Sequence, residues 1–177
     1  LIVLLRPVLQ RYALARPNAR SSHRIPTPQG GGLAVIIAAI AATAISVSFS
    51  GLVANSSLLA VFSATILLAL VGAYDDLRTM PVLPRLMMQA AAVGIALWAL
   101  PAEFHLFQAI PLWAERIVLL IGGLWFVNLV NFMDGIDWLT VAEFVPITFG
   151  LALIGFLGGL PDHATLIALI LLGAVLG

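Results

Sequence analysis

Long apolar runs alternate with short polar breaks along this chain, and the runs lack the two-residue alternation of strands. Five runs cover approximately residues 33–50, 57–74, 85–100, 113–130 and 141–160, and a sixth starts near residue 164 and continues to Gly177. Each has about the length that a helix needs to cross a hydrocarbon core of roughly 30 Å. The pattern predicts an all-α, polytopic transmembrane helix bundle with about five complete spans and a truncated sixth.

Composition removes the main alternative, a water-soluble domain. The chain is 62% hydrophobic and 9% charged, with a mean hydropathy of +1.13, whereas soluble domains carry roughly 25% charged residues. It contains no cysteine, which excludes disulfides, thiolate metal ligands and cysteine nucleophiles. We expect one membrane domain over residues 1–177. Because the chain starts and stops inside apolar stretches, we also expect it to be a fragment lacking N-terminal and C-terminal segments.

The arginines predict an orientation. Five lie between Arg6 and Arg24. Two more, Arg78 and Arg85, lie between the second run and the start of the third, so seven of the eight share one side if each run crosses once. Only Arg116 lies near the other face. The positive-inside rule places the arginine-rich side in the cytoplasm. The chain is therefore predicted to be a multi-pass protein of the inner (plasma) membrane.

If each run crosses the membrane once, three polar segments also fall on the cytoplasmic face. They are "SSHRIPTPQGGG" (21–32), "GAYDDLR" (72–78) and "NFMDGID" (131–137). The outer loops carry plainer acids, Glu103, Glu115 and Asp162, which are expected to be solvated. Convergence of the chemistry-bearing segments on one face predicts a site there.

Two of these segments offer oxygen ligands. Asp75 and Asp76 are adjacent carboxylates that repel each other unless a cation or a proton relieves them, although they also fit a solvated loop pair. Asn128, Asn131 and Asp134 recur at intervals of three and can line one helix face, or simply cap a helix end. Carboxylate and amide oxygens suit Mg²⁺, and the lack of cysteine argues against zinc.

The first segment offers contacts for an anion. Glycines before a helix start can present backbone N–H groups to a phosphate, and Arg24 or His23 can add positive charge. A flexible juxtamembrane loop is the alternative interpretation. Glu143, just inside the fifth run, either belongs to the site or faces the bundle.

In their order and spacing, "HRIPTPQGGG", "GAYDDL" and "NFMDGID" resemble the polyprenyl-phosphate N-acetylhexosamine-1-phosphate transferases. This membrane glycosyltransferase family 4 also contains phospho-N-acetylmuramoyl-pentapeptide transferase. The resemblance implies transfer of N-acetylhexosamine 1-phosphate from a UDP-sugar to polyprenyl (undecaprenyl) phosphate, with release of UMP, in cell-envelope polysaccharide synthesis. It implies that Mg²⁺ is the cofactor, that the protein acts in the membrane and that nucleic acid is not a partner. A homodimer is also considered.

The resemblance also implies roles for individual residues. Asn131 and Asp134 match positions tied to the metal, and Asp75 and Asp76 match the pair associated with metal contact or with deprotonating the lipid phosphate. Asp137 is expected to support catalysis at the site or to contact the nucleotide. Three further residues are expected to bind substrate: His23, Arg24 and Asn128.

The chain departs from the family pattern in three ways. Trp138 stands where the family usually has a glycine after "DGID", which leaves the sugar open. The family's later aspartate and its histidine-rich loop lie beyond Gly177, and most of its first membrane segment is missing. Two alternatives therefore stay open. One is an ion- or proton-coupled transporter fragment, and the other is an inactive remnant of the transferase, so residues 1–177 alone are expected to hold only part of a site.

Overall fold

The computed structural model describes residues 14–15, 27–28, 31–50, 56–133 and 139–176. Two short strands, β1 (Leu14–Ala15) and β2 (Thr27–Pro28), pair antiparallel with Leu14 opposite Pro28. Six helices follow: α1 (Gly31–Ser50), α2 (Ser56–Leu77), α3 (Val82–Trp98), α4 (Leu112–Met133), α5 (Leu139–Phe156) and α6 (Asp162–Leu176). All six predicted apolar runs are helical, so the helical fold class is confirmed.

Two of the described prolines lie within helices, one in a first turn and one in a helix interior. The third apolar run was predicted to begin near residue 85, but α3 already begins at Val82 and holds Pro84 in its first turn. The first backbone N–H groups of a helix have no intrahelical partner, so proline costs little there. Pro146 lies inside α5, where it removes one backbone hydrogen bond.

Three of the described helices are long and apolar enough to cross a membrane: Ser56–Leu77, Leu112–Met133 and Leu139–Phe156. Shorter apolar helices cover Ala34–Phe49, Val82–Trp98 and Asp162–Leu176. The helical structure and its apolar character agree with a membrane protein. The number of complete spans stays a prediction.

Burial is inverted relative to a soluble protein. The buried apolar side chains of the described residues are Val71 and seven alanines: Ala34, Ala39, Ala60, Ala64, Ala92, Ala152 and Ala168. Large apolar side chains such as Phe49 (88% exposed) and Trp98 (81% exposed) point outward. Small residues inside and large ones outside are what membrane helices use, since lipid solvates the large side chains and small residues let backbones approach.

The described chain divides into two compact units. The first contains α1, α5 and α6 together with the β1–β2 pair, and within it α6 packs against both α1 and α5. Gly155 of α5 allows a close approach to α6, because a Cβ there would collide with the side chain of Thr165.

Helix α5 ends in a turn that contains a residue with a positive φ angle. Gly158 has φ +81°, and the N–H groups of Gly158 and Gly159 donate to Gly155 O and Ile154 O. This pattern is a Schellman motif, in which the positive-φ position strongly favours glycine. It satisfies carbonyls that the helix end would otherwise leave without partners.

The second unit, Ala54–Phe132, contains α2, α3 and α4 up to Phe132. Helix α2 packs against α3, and α4 contacts α3 where Gly123 faces Val93. An apolar groove of about 430 Å³ lies among the three helices and is lined partly by small residues such as Ala64, Ala96 and Gly122. This unit contains the Asp75–Asp76 pair and the asparagines Asn128 and Asn131, and thus residues from two of the three predicted polar segments.

Candidate functional site

The first motif occupies the last turn of α2. Asp75 and Asp76 precede the helix end at Leu77, and no basic residue lies in that turn. A helix C-terminus carries roughly half a negative charge, so two carboxylates there are disfavoured by the helix dipole. Groups from outside the helix are needed to hold these acids in place.

Asp75 has such partners on both of its oxygens. Arg85 Nη1 donates to Oδ2 at 2.9 Å, and the backbone N–H of Met80 donates to Oδ1 at 2.8 Å. The Asp75 and Arg85 side chains are 18% and 26% exposed, so water screens this ion pair only in part. Asp76 is the more exposed member of the pair. Asp75 is thus oriented by the protein, whereas Asp76 lies at the surface of this helix end.

The second motif begins inside α4. The helix continues to Met133, so Asn128 and Asn131 lie one turn apart on it, as their spacing predicted. Asn131 is exposed. Asn128 is partly buried, and its Nδ2 donates to Gln89 Oε1 at 2.9 Å and to Leu124 O at 2.8 Å.

Helix α3 connects the two motifs. Arg85 contacts Asp75 of α2, and Gln89, four residues later, contacts Asn128 of α4. Residues four apart lie on one helix face about 6 Å apart along the axis. Asp75 and Asn128 therefore contact neighbouring turns of α3, and the two motifs lie at the same end of the second unit.

Several predicted site residues lie outside the described part of the chain: His23, Arg24, Asp134, Asp137 and the neighbouring Trp138. Of the first segment, Thr27–Pro28 forms β2, and α1 begins at Gly31 within the glycine run. Among the described residues, no three His, Cys, Asp or Glu side chains group closely enough to hold a metal ion. The roles predicted from the sequence for the eight site residues, whether or not the structure describes them, stay predictions.

Sequence reasoning missed the two α3 side chains. The sequence pattern predicts only a topological role for Arg85 and no role for Gln89. A signal was present, since Gln89 is a lone polar residue in the run "LMMQAAAVGIALW" and lies four residues after Arg85. A polar side chain within an apolar segment needs a partner, but the sequence did not indicate which one.

One prediction at the opposite end of this unit was wrong. Glu115 was expected to be solvated, yet its side chain is completely buried. Its two oxygens accept hydrogen bonds from the N–H groups of Leu106 (3.1 Å) and Phe107 (3.0 Å), and His105 Nδ1 lies 3.4 Å away. A charged side chain is buried here because the 99–111 connection folds over it and supplies donors.

Comparison with known protein families gives one match. The family model described as Glycosyl transferase family 4 matches residues 58–177, more than half of the chain. The matched range contains the carboxylate pair and the asparagine motif, and the segment "HRIPTPQGGG" precedes it. No curated protein and no solved structure matches the chain.

Proposed function

The chain belongs to glycosyl transferase family 4, and from this membership we propose that it transfers N-acetylhexosamine 1-phosphate from a UDP-sugar to polyprenyl phosphate. An oxygen of the lipid phosphate attacks the phosphorus that carries the sugar. The bond between that phosphorus and the bridging oxygen breaks, and UMP leaves with the oxygen. The product is a polyprenyl-diphosphate sugar for cell-envelope polysaccharide synthesis.

The observation that carries the proposal is the placement of two oxygen-rich motifs at one end of a membrane-type helix unit. Asp75 and Asp76 end α2, and Asn131 lies in the last turn of α4. An acceptor in the membrane and a water-soluble donor can meet only at the membrane surface. A site at helix ends satisfies this requirement, and we propose that these ends face the cytoplasm.

The donor set also fits a hard divalent cation. Asn131 offers an amide oxygen at an exposed position, and Asp134 follows three residues later. We assign these two residues to Mg²⁺, which has a strong preference for oxygen ligands and is often shared with substrate phosphates. When bound, the ion would neutralise charge on the diphosphate as the phosphoryl group transfers.

The chain's own residues have separate tasks in this scheme. Asp75, fixed by Arg85 and Met80, holds its carboxylate in one orientation, and the exposed Asp76 is assigned to contact with the metal or to taking a proton from the lipid phosphate. A phosphate needs little deprotonation at neutral pH, so positioning and charge neutralisation carry most of the rate enhancement.

Residues outside the described ranges complete the scheme. We assign Arg24 and His23 to phosphate oxygens, and Asp137 to support of catalysis or to a contact with the nucleotide. Within the described residues, Asn128 is assigned to substrate binding. Trp138 follows this motif directly in the sequence, and we propose that the identity of the hexosamine depends on it.

The transporter alternative fits less well. An ion-coupled transporter binds its ion near the bilayer midplane, in helix interiors. Among the described residues, Asp75 and Asp76 end α2 and Glu115 lies in the first turn of α4, all at helix ends.

The test is UMP release by the full-length protein. The purified protein is incubated with undecaprenyl phosphate, Mg²⁺ and a panel of UDP-N-acetylhexosamines, beside the variants Asp134→Ala and Asp162→Ala. We expect release by the wild type, loss with Asp134→Ala, and no change with the control Asp162→Ala, which removes an exposed acid at the start of α6.

Two results would count against parts of the proposal. No release with any UDP-sugar contradicts the activity. Release that survives Asp134→Ala contradicts the metal assignment. Residues 1–177, assayed alone, test whether this stretch is active without further segments.

A further inference from the structure

Gln89 is buried within an otherwise apolar helix, with 5% of its surface exposed. The hydrogen bond between Asn128 Nδ2 and Gln89 Oε1 crosses from α4 to α3. A hydrogen-bonded polar pair adds little net stability, since apolar residues of similar shape can replace both partners at nearly no cost. The pair therefore calls for a role other than holding α3 and α4 together.

The hydrogen bonds fix which way the Asn128 amide faces. Leu124 O is a carbonyl oxygen and can only accept, so the Asn128 atom 2.8 Å from it must be the nitrogen. That nitrogen has two hydrogens, and Gln89 Oε1 accepts the second. Both donors of the amide are used inside the protein, which leaves Oδ1, an acceptor, as the atom for a ligand.

We propose that Gln89 is a positioning residue that locks Asn128 with Oδ1 presented to the UDP-sugar. This inference rests on the proposed function and specifies how Asn128 recognises its substrate. An acceptor cannot bind phosphate oxygens, which are themselves acceptors. As a substrate-binding residue, Asn128 therefore contacts a hydrogen-bond donor of the UDP-sugar: the imide N–H of uracil, the acetamido N–H of the hexosamine, or a hydroxyl of the ribose or hexosamine.

Without Gln89, the Asn128 amide loses one of the two hydrogen bonds that orient it. The Leu124 carbonyl alone leaves one amide hydrogen unpaired, and the side chain can rotate to find another acceptor. Substrate binding then requires Asn128 to be reoriented, which raises the KM for the UDP-sugar. The acceptor lipid does not depend on this contact, so its KM should not change.

The experiment compares Gln89→Leu, Gln89→Met and Gln89→Glu in the full-length protein. Gln89→Leu and Gln89→Met remove the acceptor. Gln89→Glu retains an oxygen that can accept from Asn128. The matched control is Gln108→Leu, the same change at an exposed glutamine of the 99–111 connection. Readouts are the KM for UDP-sugar, the KM for undecaprenyl phosphate, kcat, and the melting temperature in detergent.

We expect Gln89→Leu and Gln89→Met to raise the KM for UDP-sugar about tenfold, which corresponds to about 1.4 kcal/mol. The KM for undecaprenyl phosphate should stay within about twofold of the wild-type value. Gln89→Glu should restore most of the affinity, and Gln108→Leu should change nothing. Two acceptor-removing variants of different shape keep the test valid if one of them folds poorly.

A double-variant cycle tests whether Gln89 acts through Asn128. In an Asn128→Ala background, Gln89→Leu should cause no further rise in KM. Independent effects of the two changes, an unchanged KM in Gln89→Leu, or a lowered melting temperature without a KM change would each overturn the positioning role. A wild type that releases no UMP would instead overturn the proposed function, and this inference with it.

Discussion

Asp75 carries its charge at a helix end where the backbone dipole is also negative, so its position depends on Arg85. A charge-assisted hydrogen bond of this kind contributes about 1.5–3 kcal/mol when it is shielded from water, and less when screened. At 2.9 Å and about a quarter exposed, the Arg85 contact lies between these limits. Its larger effect is on geometry, because it sets the direction of one Asp75 oxygen.

Arg85→Leu should lower UMP release about tenfold, since Asp75 keeps only the Met80 N–H and its carboxylate is no longer held in one orientation. Arg85→Lys should lose less, because a lysine retains the charge but not the fixed guanidinium geometry. The control is Arg78→Leu, which removes the same charge from the exposed connection between α2 and α3. Equal losses in Arg78→Leu and Arg85→Leu would indicate a general charge effect instead of a specific contact.

Glu115 presents the opposite situation, a buried carboxylate distant from the site. Glu115→Ala should lower the melting temperature in detergent by several degrees, because the N–H groups of Leu106 and Phe107 lose their acceptor. UMP release measured well below that temperature should stay near wild type, since Glu115 lies at the other end of α4 from Asn131. Glu103→Ala, at an exposed acid of the same connection, is the control. A Glu115→Ala protein that is fully stable but inactive would contradict this structural role.

At the scale of helices, the spacing of α3 and α4 determines whether Gln89 reaches Asn128. Gly123 sets that spacing, since a Cβ there would lie 2.7 Å from Val93 Cγ1, inside ordinary contact distance. Valine has one strongly preferred rotamer in a helix and cannot swing away. The Gln89–Asn128 hydrogen bond lies about 7.5 Å further along α4.

Gly123→Ala should therefore push α3 and α4 apart, costing about 1–3 kcal/mol of stability and raising the KM for UDP-sugar. Its neighbour provides a close control, because a Cβ at Gly122 meets nothing within 4 Å. Gly122→Ala should be neutral or stabilising, as alanine is favoured over glycine in helices by about 1 kcal/mol. Melting temperature and UMP release distinguish the two. Equal behaviour of both variants would rule out close packing at Gly123.

Helix positions could be predicted because hydropathy reports them directly. The run 57–74 became α2 (Ser56–Leu77), and 113–130 became α4 (Leu112–Met133), each slightly longer than predicted. The extensions matter, because they place Asp75, Asp76 and Asn131 inside helices. Polar residues at a helix end lower the hydropathy of the run, so an apolar pattern stops before the helix does.

Contacts between helices could not be predicted in the same way. The sequence identified Asp75 and Asn128 as chemistry-bearing residues, but their partners Arg85 and Gln89 lie on a third helix. Which face of α3 meets α2 and which meets α4 depends on packing of small residues such as Ala92 and Gly123, and a single sequence does not specify that packing. Glu115 was misjudged for the same reason, since its burial results from the fold of the 99–111 connection.

For the molecule as a whole, the orientation of the site end in the membrane is the central expectation. Seven of eight arginines fall on one side if every run crosses once, counting five before residue 25 plus Arg78 and Arg85. This asymmetry predicts that the connection between α2 and α3 is cytoplasmic and that the 99–111 connection lies outside. A UDP-sugar is made and used in the cytoplasm, so the same orientation is required by the proposed function.

The absence of cysteine from these 177 residues makes the orientation directly measurable. Thr79→Cys and Gln108→Cys place single thiols at exposed positions of the two connections. A membrane-impermeant maleimide should label Gln108→Cys in intact cells, and it should label Thr79→Cys only after permeabilisation. The parent protein without introduced thiols gives the background, and the reverse pattern would contradict the predicted orientation. Labelling of both positions from one side would mean that α3, which has 17 residues, does not cross the membrane, and the predicted count of spans would then be wrong.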